Sequence, residues 1–147
     1  MTFISSLANL WSSIMSQHVV NAVDDHKALA SRFFDAIELG DIGTVLAIYA
    51  PNAVIWHNTD ELDCTPEQNG DVLRGFVARI RERRYENRRV DIFPDGFVQQ
   101  HVLTGVRADG RRLRLSACIV CRVENGRITR LDEYFDSTAV APWRVTT

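Results

Sequence analysis

The chain has 147 residues, of which 46% are hydrophobic and 24% are charged, and its formal net charge is −2. This length suits one globular domain with its own core and leaves little room for a second. So small a net charge gives no overall field that would draw the protein to nucleic acid or to an anionic membrane. We therefore expect neither as a partner.

Three cysteines, Cys64, Cys118 and Cys121, do not form an even disulfide framework. Cys118 and Cys121 have the CxxC spacing, but they lie in a strand-like run, where residues three apart point to opposite faces. We therefore expect small buried side chains, no metal site and a cytoplasmic protein. The arginines between Arg79 and Arg114 are interleaved with acids and predict a solvated face.

Residues 1–22 are predicted to form an N-terminal extension that lies outside the main domain. Apolar residues recur in it at helical spacing, which indicates a short amphipathic helix. They are Phe3, Leu7, Leu10, Trp11 and Ile14. No Lys or Arg precedes Lys27, so the basic start of a secretory signal is missing, and the apolar stretch is too short to span a membrane. The helix can pack on the domain or on a partner subunit.

Two helices are predicted to open the main domain. Asp24 or Asp25 can cap the first helix, and Gly40 ends it. Asp41 can cap the second helix, which stops at Pro51. The apolar face of the first helix consists of Leu29, Phe33, Phe34 and Ile37.

A strand over residues 53–58 follows, and Thr65-Pro66 predicts the start of a third helix that runs to about Arg84. Three turn signals then divide residues 86–136 into four strands joined as consecutive hairpins. They are Asp95-Gly96, Asp109-Gly110 and Asn125-Gly126. Helices followed by an antiparallel meander predict an α+β domain at residues 23–140, with three helices on a strongly curved sheet and a tail at residues 141–147.

Three stretches of the main domain carry a family resemblance. They are FFDAIELGDIGTVLAIYAPNAVIWHNTD, DGFVQQHVLTGVRADGRRLRLSACIVCRV and VENGRITRLDEYFD. The first and last resemble the opening and the closing hairpin of SnoaL-like proteins in the nuclear transport factor 2-like superfamily, and the middle one resembles the central hairpin. The resemblance covers about residues 25–137. It implies a cone-shaped α+β barrel with a deep apolar pocket.

The relatives that this resemblance implies include ketosteroid isomerases, polyketide cyclases, limonene epoxide hydrolases and dehydratases, which work without a metal or an organic cofactor. Ungapped counting places the general base of the isomerases at His57. The same counting places the tyrosine and asparagine of the epoxide hydrolases at Ile55 and His57, whereas matching by identity places them at Trp56 and Asn58. These two registers point opposite side chains into the pocket. We favour the one with His57 inward.

The epoxide hydrolases also need an Arg-x-Asp pair on the central hairpin, and its positions fall on Gln100 and Val102. That departure argues against their activity here. Their second acid falls on Glu133. The oxyanion-binding aspartate of the isomerases falls on Ile119, and no equivalent of their tyrosine is evident, which argues against a ketosteroid isomerase of the usual kind.

Strand alternation selects Glu133 without reference to any family. Leu131, Glu133 and Phe135 share one face of the last strand, as Ala117 and Ile119 do on the preceding one. If His57 reaches Glu133, the two form a base with an orienting acid. The alternatives are a salt bridge from Glu133 to an arginine, and a hydrogen bond from His57 to a backbone carbonyl.

Further polar and aromatic residues are candidates for contact with a ligand, each with a structural alternative. Trp56 can form a pocket wall or pack under the third helix, Asn58 can bind a substrate oxygen or cap a turn, and Asp60 more simply caps a turn. Gln100 is expected inward, which sends His101 to the convex face unless a bulge reverses the assignment.

We therefore expect a cofactor-free acid–base enzyme that acts on a small apolar carbonyl compound. His57 and Glu133 are its predicted catalytic residues. The predicted substrate-binding residues are Trp56, Asn58, Asp60, Gln100, His101, Ala117, Ile119 and Phe135. The alternative is a binding protein for a hydrophobic small molecule, and in either case we expect a homodimer through the convex sheet face.

Overall fold

The computed structural model describes residues 3–145, with side chains from residue 7 onward. Residues 1–2 of the predicted extension, the side chain of Phe3 and residues 146–147 of the predicted tail lie outside the described part. The helices are α1 (Phe3–Leu39), α2 (Ile42–Ile48), α3 (Pro66–Arg79) and α4 (Ser137–Val140), and a 3-10 helix follows at Ala141–Trp143. The strands are β1 (Tyr49–His57), β2 (Asp63–Cys64), β3 (Ile80–Phe93), β4 (Gly96–Arg107), β5 (Arg112–Glu124) and β6 (Arg127–Phe135).

The fold is α+β, as predicted, with helices packed on a curved and mostly antiparallel sheet. The strand order is β2-β1-β6-β5-β4-β3, so the cone is formed by a curved sheet whose edges stay open. The four predicted hairpin strands are confirmed as β3 to β6. The sheet is not wholly antiparallel, however, because β1 lies beside β6 and runs parallel to it.

The predicted extension and the first predicted helix are one continuous helix, α1, of 37 residues. The caps predicted at Asp24 and Asp25 are therefore wrong. No glycine or proline occurs between residues 3 and 39, and aspartate lowers helix stability only modestly, so nothing in the sequence breaks the helix there. The second half of α1 packs on the sheet and defines its inner face; the opposite face is called the outer face below.

Two helix starts are confirmed, and two helix ends differ from the prediction. Asp41 caps α2, and Thr65 with Gln68 forms a capping box at α3. The chain leaves α2 at Tyr49, which already pairs with Ile128 in the sheet. It likewise leaves α3 at Ile80, which lies 1% exposed opposite Arg107. In both cases strand pairing overrides local helix propensity, which is high in the Arg- and Glu-rich start of β3.

Two arginines depart from the predicted solvated face: one is Arg107, which is only 9% exposed, and the other is Arg88. Its side chain is 21% exposed, and Nη1 donates to Asp35 Oδ1 at 2.6 Å while Nη2 donates to Glu38 Oε1 at 2.9 Å. Its guanidinium also lies over the rings of Phe34 and Tyr85, 5.8 and 5.7 Å from their centroids. These contacts fix the middle of β3 against the inward side of α1.

Candidate functional site

A cavity of about 530 Å³ lies between the inner face of the sheet, α1 and α3. Its wall is largely aromatic and aliphatic, which is the usual composition of a small-molecule site. The apolar part includes Phe33, Phe34, Ile37, Tyr49, Leu73, Phe76, Tyr85, Leu103, Leu115, Ile119, Leu131, Phe135 and Trp143. Five charged side chains and one histidine also line it, and they are Asp60, Asp71, Arg79, Glu133, Arg144 and His57.

The parity of β1 decides which of its side chains enter this cavity. Ile55 is fully buried, and His57 lines the cavity. Trp56 points to the outer face, where its ring lies 5.3 Å from that of Tyr134. The register with His57 inward is therefore the observed one. Trp56 is neither a pocket wall nor packed under α3, because its position in the strand alternation places it on the other face.

His57 and Glu133 meet at the cavity wall. Parallel pairing of β1 with β6 puts the two residues side by side, and His57 Nε2 lies 3.3 Å from Glu133 Oε2. Both side chains are about one-fifth exposed, at 19% and 20%. The alternative in which Glu133 bonds an arginine is not what the structure shows. The catalytic role of the pair remains a prediction.

The pKa of His57 lies above its ordinary value of 6.5. Burial is the largest single influence and lowers the pKa. The hydrogen bond to Glu133 and its negative charge raise the pKa, as Asp60 also does, while Arg144 lowers it. Together the carboxylates outweigh burial, so protonated His57 is stabilised by the acid beside it.

Asn58 locks this arrangement and does not enter the cavity as a ligand-binding group. Its amide Nδ2 donates to the backbone carbonyl of Phe135 at 2.9 Å, and its Oδ1 accepts from the Phe135 backbone N–H at 3.1 Å. The Asn58 backbone N–H also donates to the carbonyl of Glu133 at 3.0 Å. Asn58 thus fixes the end of β1 to the end of β6 and holds His57 in register with Glu133.

Asp60 has the turn role that was its simpler interpretation, since its Oδ1 accepts from the Leu62 backbone N–H at 3.2 Å. It also lines the cavity, where it is exposed. Its contribution to the site is electrostatic, because its charge raises the pKa of His57.

The prediction for Gln100 and His101 is wrong in orientation. Gln100 is exposed on the outer face and accepts a hydrogen bond from Arg89, whereas His101 is 4% exposed on the inner face. The turn between β4 and β5 explains the reversal. Arg107 donates its N–H to Arg111 across a three-residue loop, and Gly110 closes the loop at φ 83°. A two-residue turn would have paired Gln100 with Ile119; the extra residue pairs Gln99 with Ile119.

The inward pair on the central hairpin is therefore Gln99 and His101, and Gln99 was not among the predicted site residues. Gln99 is fully buried, and its Nε2 lies 3.1 Å from His101 Nδ1. Among the side chains that the structure describes, Gln99 Oε1 and His101 Nε2 are buried without a hydrogen-bond partner. Burial lowers the pKa of His101 to about 4, although the charge of Glu133 opposes that shift.

Aromatic rings enclose His101 on the cavity side. Its ring packs edge-on to Phe34 and Tyr85, with centroids 5.2 and 4.8 Å away, and both of those residues line the cavity. Of the remaining predicted residues, Ile119 and Phe135 line the cavity, while Ala117 is buried between His101 and Phe135 in the sheet.

Two tyrosines of the site were also missed. Tyr49 donates its hydroxyl to Asn69 Oδ1 at 3.2 Å beside the cavity, and Tyr85 lines it from β3. Burial raises the pKa of both phenols, so both remain protonated donors. Strand alternation could have identified both tyrosines as inward. It was not applied to them because the helices before β1 and β3 were predicted to end several residues too late.

Side chains from residue 7 to residue 145 include no cluster of three or more His, Cys, Asp or Glu that could hold a metal ion. Along the same part of the chain, no helix is both long and apolar enough to cross a membrane.

Comparison with known proteins gives one family match and many matches of fold. A family model described as SnoaL-like domain matches residues 30–131. No curated protein sequence matches the chain. Among solved structures, a proposed isomerase from Bacillus subtilis has a TM-score of 0.71 at 16% identity, covering 82% of this chain and 92% of its own.

Two further structures have similar scores. A proposed polyketide cyclase from Xanthomonas campestris pv. campestris has a TM-score of 0.70 at 18% identity, over 78% of this chain and 93% of its own. An LEH-like epoxide hydrolase from M. tuberculosis has a TM-score of 0.66 at 20% identity, over 82% of this chain and 89% of its own. At these identities the structural likeness establishes the fold alone.

Proposed function

The chain belongs to the SnoaL-like domain family, and from that premise and the geometry of its cavity we propose that it is a cofactor-free acid–base enzyme. Its substrate would be a small, mostly apolar carbonyl compound, and the reaction an isomerisation, a ring closure or a dehydration. The observation that carries this proposal is the approach of His57 to Glu133, 3.3 Å apart, in a cavity lined mainly by apolar side chains.

His57 is the base in this proposal. Neutral His57 donates its Nε2–H to the Glu133 carboxylate, which leaves Nδ1 with the lone pair that takes a proton. The substrate loses that proton from the carbon next to its carbonyl: the C–H bond breaks, an N–H bond forms, and the electron pair moves into an enolate. Glu133 then stabilises the imidazolium and would not itself need to exchange a proton.

His101 is the donor to the enolate oxygen. Its pKa of about 4 keeps the ring neutral at pH 7, and the Gln99 amide N–H at Nδ1 places the single ring proton on Nε2. That N–H has no partner among the described side chains. Phe34 and Tyr85 lie between His101 and the cavity that they line, and a ligand oxygen that reaches past these two rings would satisfy the N–H. Gln99 acts through His101 as a positioning residue.

The outcome depends on where the proton on His57 returns. Delivery to a different carbon of the enolate isomerises the substrate. Attack of the enolate carbon on a second carbonyl closes a ring, and the new alkoxide takes the proton. In a dehydration, the β-hydroxyl group leaves with the proton from His57 as water, and the product is an enone. Each route returns His57 to its neutral form.

Hydrogen–deuterium exchange tests the common first step without knowledge of the natural substrate. Proton NMR in D2O would follow exchange next to the carbonyl in a β-diketone and in a cyclic β,γ-unsaturated ketone. We expect exchange with the native chain, and a loss of roughly 10²–10⁴-fold in His57→Ala and in Glu133→Gln.

Trp56→Phe is the matched control, because Trp56 lies one residue from His57 but on the outer face. It should exchange at the native rate. Exchange that persists in both site variants would overturn the proposal. Calorimetric binding of the ketones with no exchange in the native chain would instead establish the alternative, a binding protein.

A further inference from the structure

The first half of α1 exposes a continuous apolar face. Leu7, Leu10, Trp11 and Ile14 follow the i, i+3, i+4, i+7 spacing of one helix side, and their exposed fractions run from 43% to 66%. Met15 and Val19, at 58% and 60%, extend the same face toward the domain. This is the largest set of exposed apolar side chains on the described part of the chain, and contiguous faces of this kind mark contact surfaces.

The chain cannot cover this face with its own domain. Every residue from 7 to 22 is exposed, so this part of the helix stands clear of the sheet. No glycine or proline lies between residues 3 and 39, and the first glycine is Gly40, beyond the helix end. A helix without a hinge does not fold back on itself. The occupant of the face must therefore be another molecule.

The absence of charged residues in this part of the helix indicates what kind of molecule covers the apolar face. Residues 1–23 contain no Asp, Glu, Lys or Arg. A helix that lies on a membrane surface uses Lys and Arg on its polar face to bind anionic headgroups, and this helix has none. A charged partner protein would likewise find no charge to pair with. An identical helix has matching apolar side chains and brings no charge of either sign into the contact.

We propose that two copies of the chain associate through this face, helix against helix. The contact consists of Leu7, Leu10, Trp11 and Ile14 from each copy, with Met15 and Val19 at its side. It is distinct from the outer sheet face, on which the sequence predicted a dimer, and it leaves the cavity of each copy open.

Sedimentation velocity of the full chain over a range of concentrations tests the proposal. The native chain should sediment as a concentration-dependent dimer. Leu7→Glu combined with Ile14→Glu places a carboxylate at each end of the apolar stripe, and the dimer Kd should rise by roughly a hundredfold or more. Circular dichroism and thermal unfolding verify that the domain still folds.

The matched control combines Asn9→Glu with Ser16→Glu. It adds the same charges at the same seven-residue spacing on the opposite side of the helix, where both residues are exposed. The Kd should stay within about twofold of the native value. Tyr134→Arg, on the outer sheet face, should also leave the dimer intact.

Three outcomes would overturn the proposal. The native chain could sediment as a monomer at every concentration, or the Leu7/Ile14 variant could keep the native Kd while Tyr134→Arg loses the dimer. The third is binding of the native monomer to phosphatidylcholine or phosphatidylglycerol vesicles that the Leu7/Ile14 variant loses, which would assign the face to lipid.

Discussion

Two histidines point to the inner face of the sheet, and their surroundings give them opposite protonation behaviour. His57 lies beside Glu133 and has a raised pKa, whereas His101 lies beside the neutral amide of Gln99 and has a pKa lowered to about 4. Burial lowers the pKa of both. The difference lies in the partner: a carboxylate outweighs burial, and an amide does not. One fold thus holds a chargeable histidine at the cavity wall and a neutral histidine behind Phe34 and Tyr85, two rings that line the same cavity.

Removing the neutral histidine of this pair is expected to have its largest effect on the exchange rate. Gln99→Leu combined with His101→Phe removes the neutral donor and leaves His57 and Glu133 in place. We expect the exchange rate to fall by about 10²–10³-fold, the usual effect of losing one oxyanion donor. Replacing both partners by apolar groups of similar shape should change the free energy of unfolding by less than about 1 kcal/mol at pH 7. An unchanged rate would mean that His101 does not contact the reacting oxygen.

The same double variant should also alter how stability depends on pH. The unfolded chain protonates His101 near pH 6.5, while the folded chain keeps it neutral until about pH 4. Between these values the unfolded state binds more protons, so native stability falls as the pH falls. The variant has no histidine at this position, so its free energy of unfolding should fall by up to about 3 kcal/mol less than that of the native chain over this range, since one pKa unit corresponds to roughly 1.4 kcal/mol.

Denaturant unfolding at pH 7, 6, 5 and 4 measures this difference. The rest of the chain is identical in the two proteins, so the difference between the native chain and the variant reports His101. Parallel stability curves for the two proteins would show that His101 is not held neutral.

The smallest expected effect is on the titration of His57. Its pKa is above 6.5, so the base is fully available only above that pH, and the exchange rate should rise as the pH rises through it. Glu133→Gln removes the carboxylate that opposes the effect of burial on the pKa of His57. The titration midpoint of His57 should therefore lie at a lower pH than in the native chain. Histidine NMR titration measures both midpoints, and Gln100→Ala, on the outer face, should leave that of His57 unchanged. A midpoint that does not move in Glu133→Gln would remove Glu133 as the cause.

The site was accessible from the sequence where the apolar residues of a strand defined its inward face. Asn125-Gly126 forms the predicted two-residue turn, with φ 50° and 73°, but the pairing of β5 with β6 shifts by one residue between Arg122 and Val123. Glu133 was placed inward by Leu131 and Phe135, the apolar residues on its own face of the strand. Asp109-Gly110 lies in a three-residue loop, and counting back from it as a two-residue turn placed Gln100 inward in error. The two dipeptides differ little in composition, and a register shift of one residue reverses every side chain of a strand.

The sequence by itself determined the fold class, the caps of α2 and α3, the four-stranded meander and the inward direction of Glu133, because these depend on short-range periodicity and on turn chemistry. The inward direction of His57 followed from the family resemblance, since alternation alone left both registers of β1 open. Tertiary structure alone decided the rest. It set the 3.3 Å approach of His57 to Glu133 through the parallel pairing of β1 and β6, which Asn58 locks, and it selected Gln99 and His101. It also ended α3 at Arg79, where pairing with β4 begins. Those outcomes depend on contacts between residues tens of positions apart, and no local pattern encodes them.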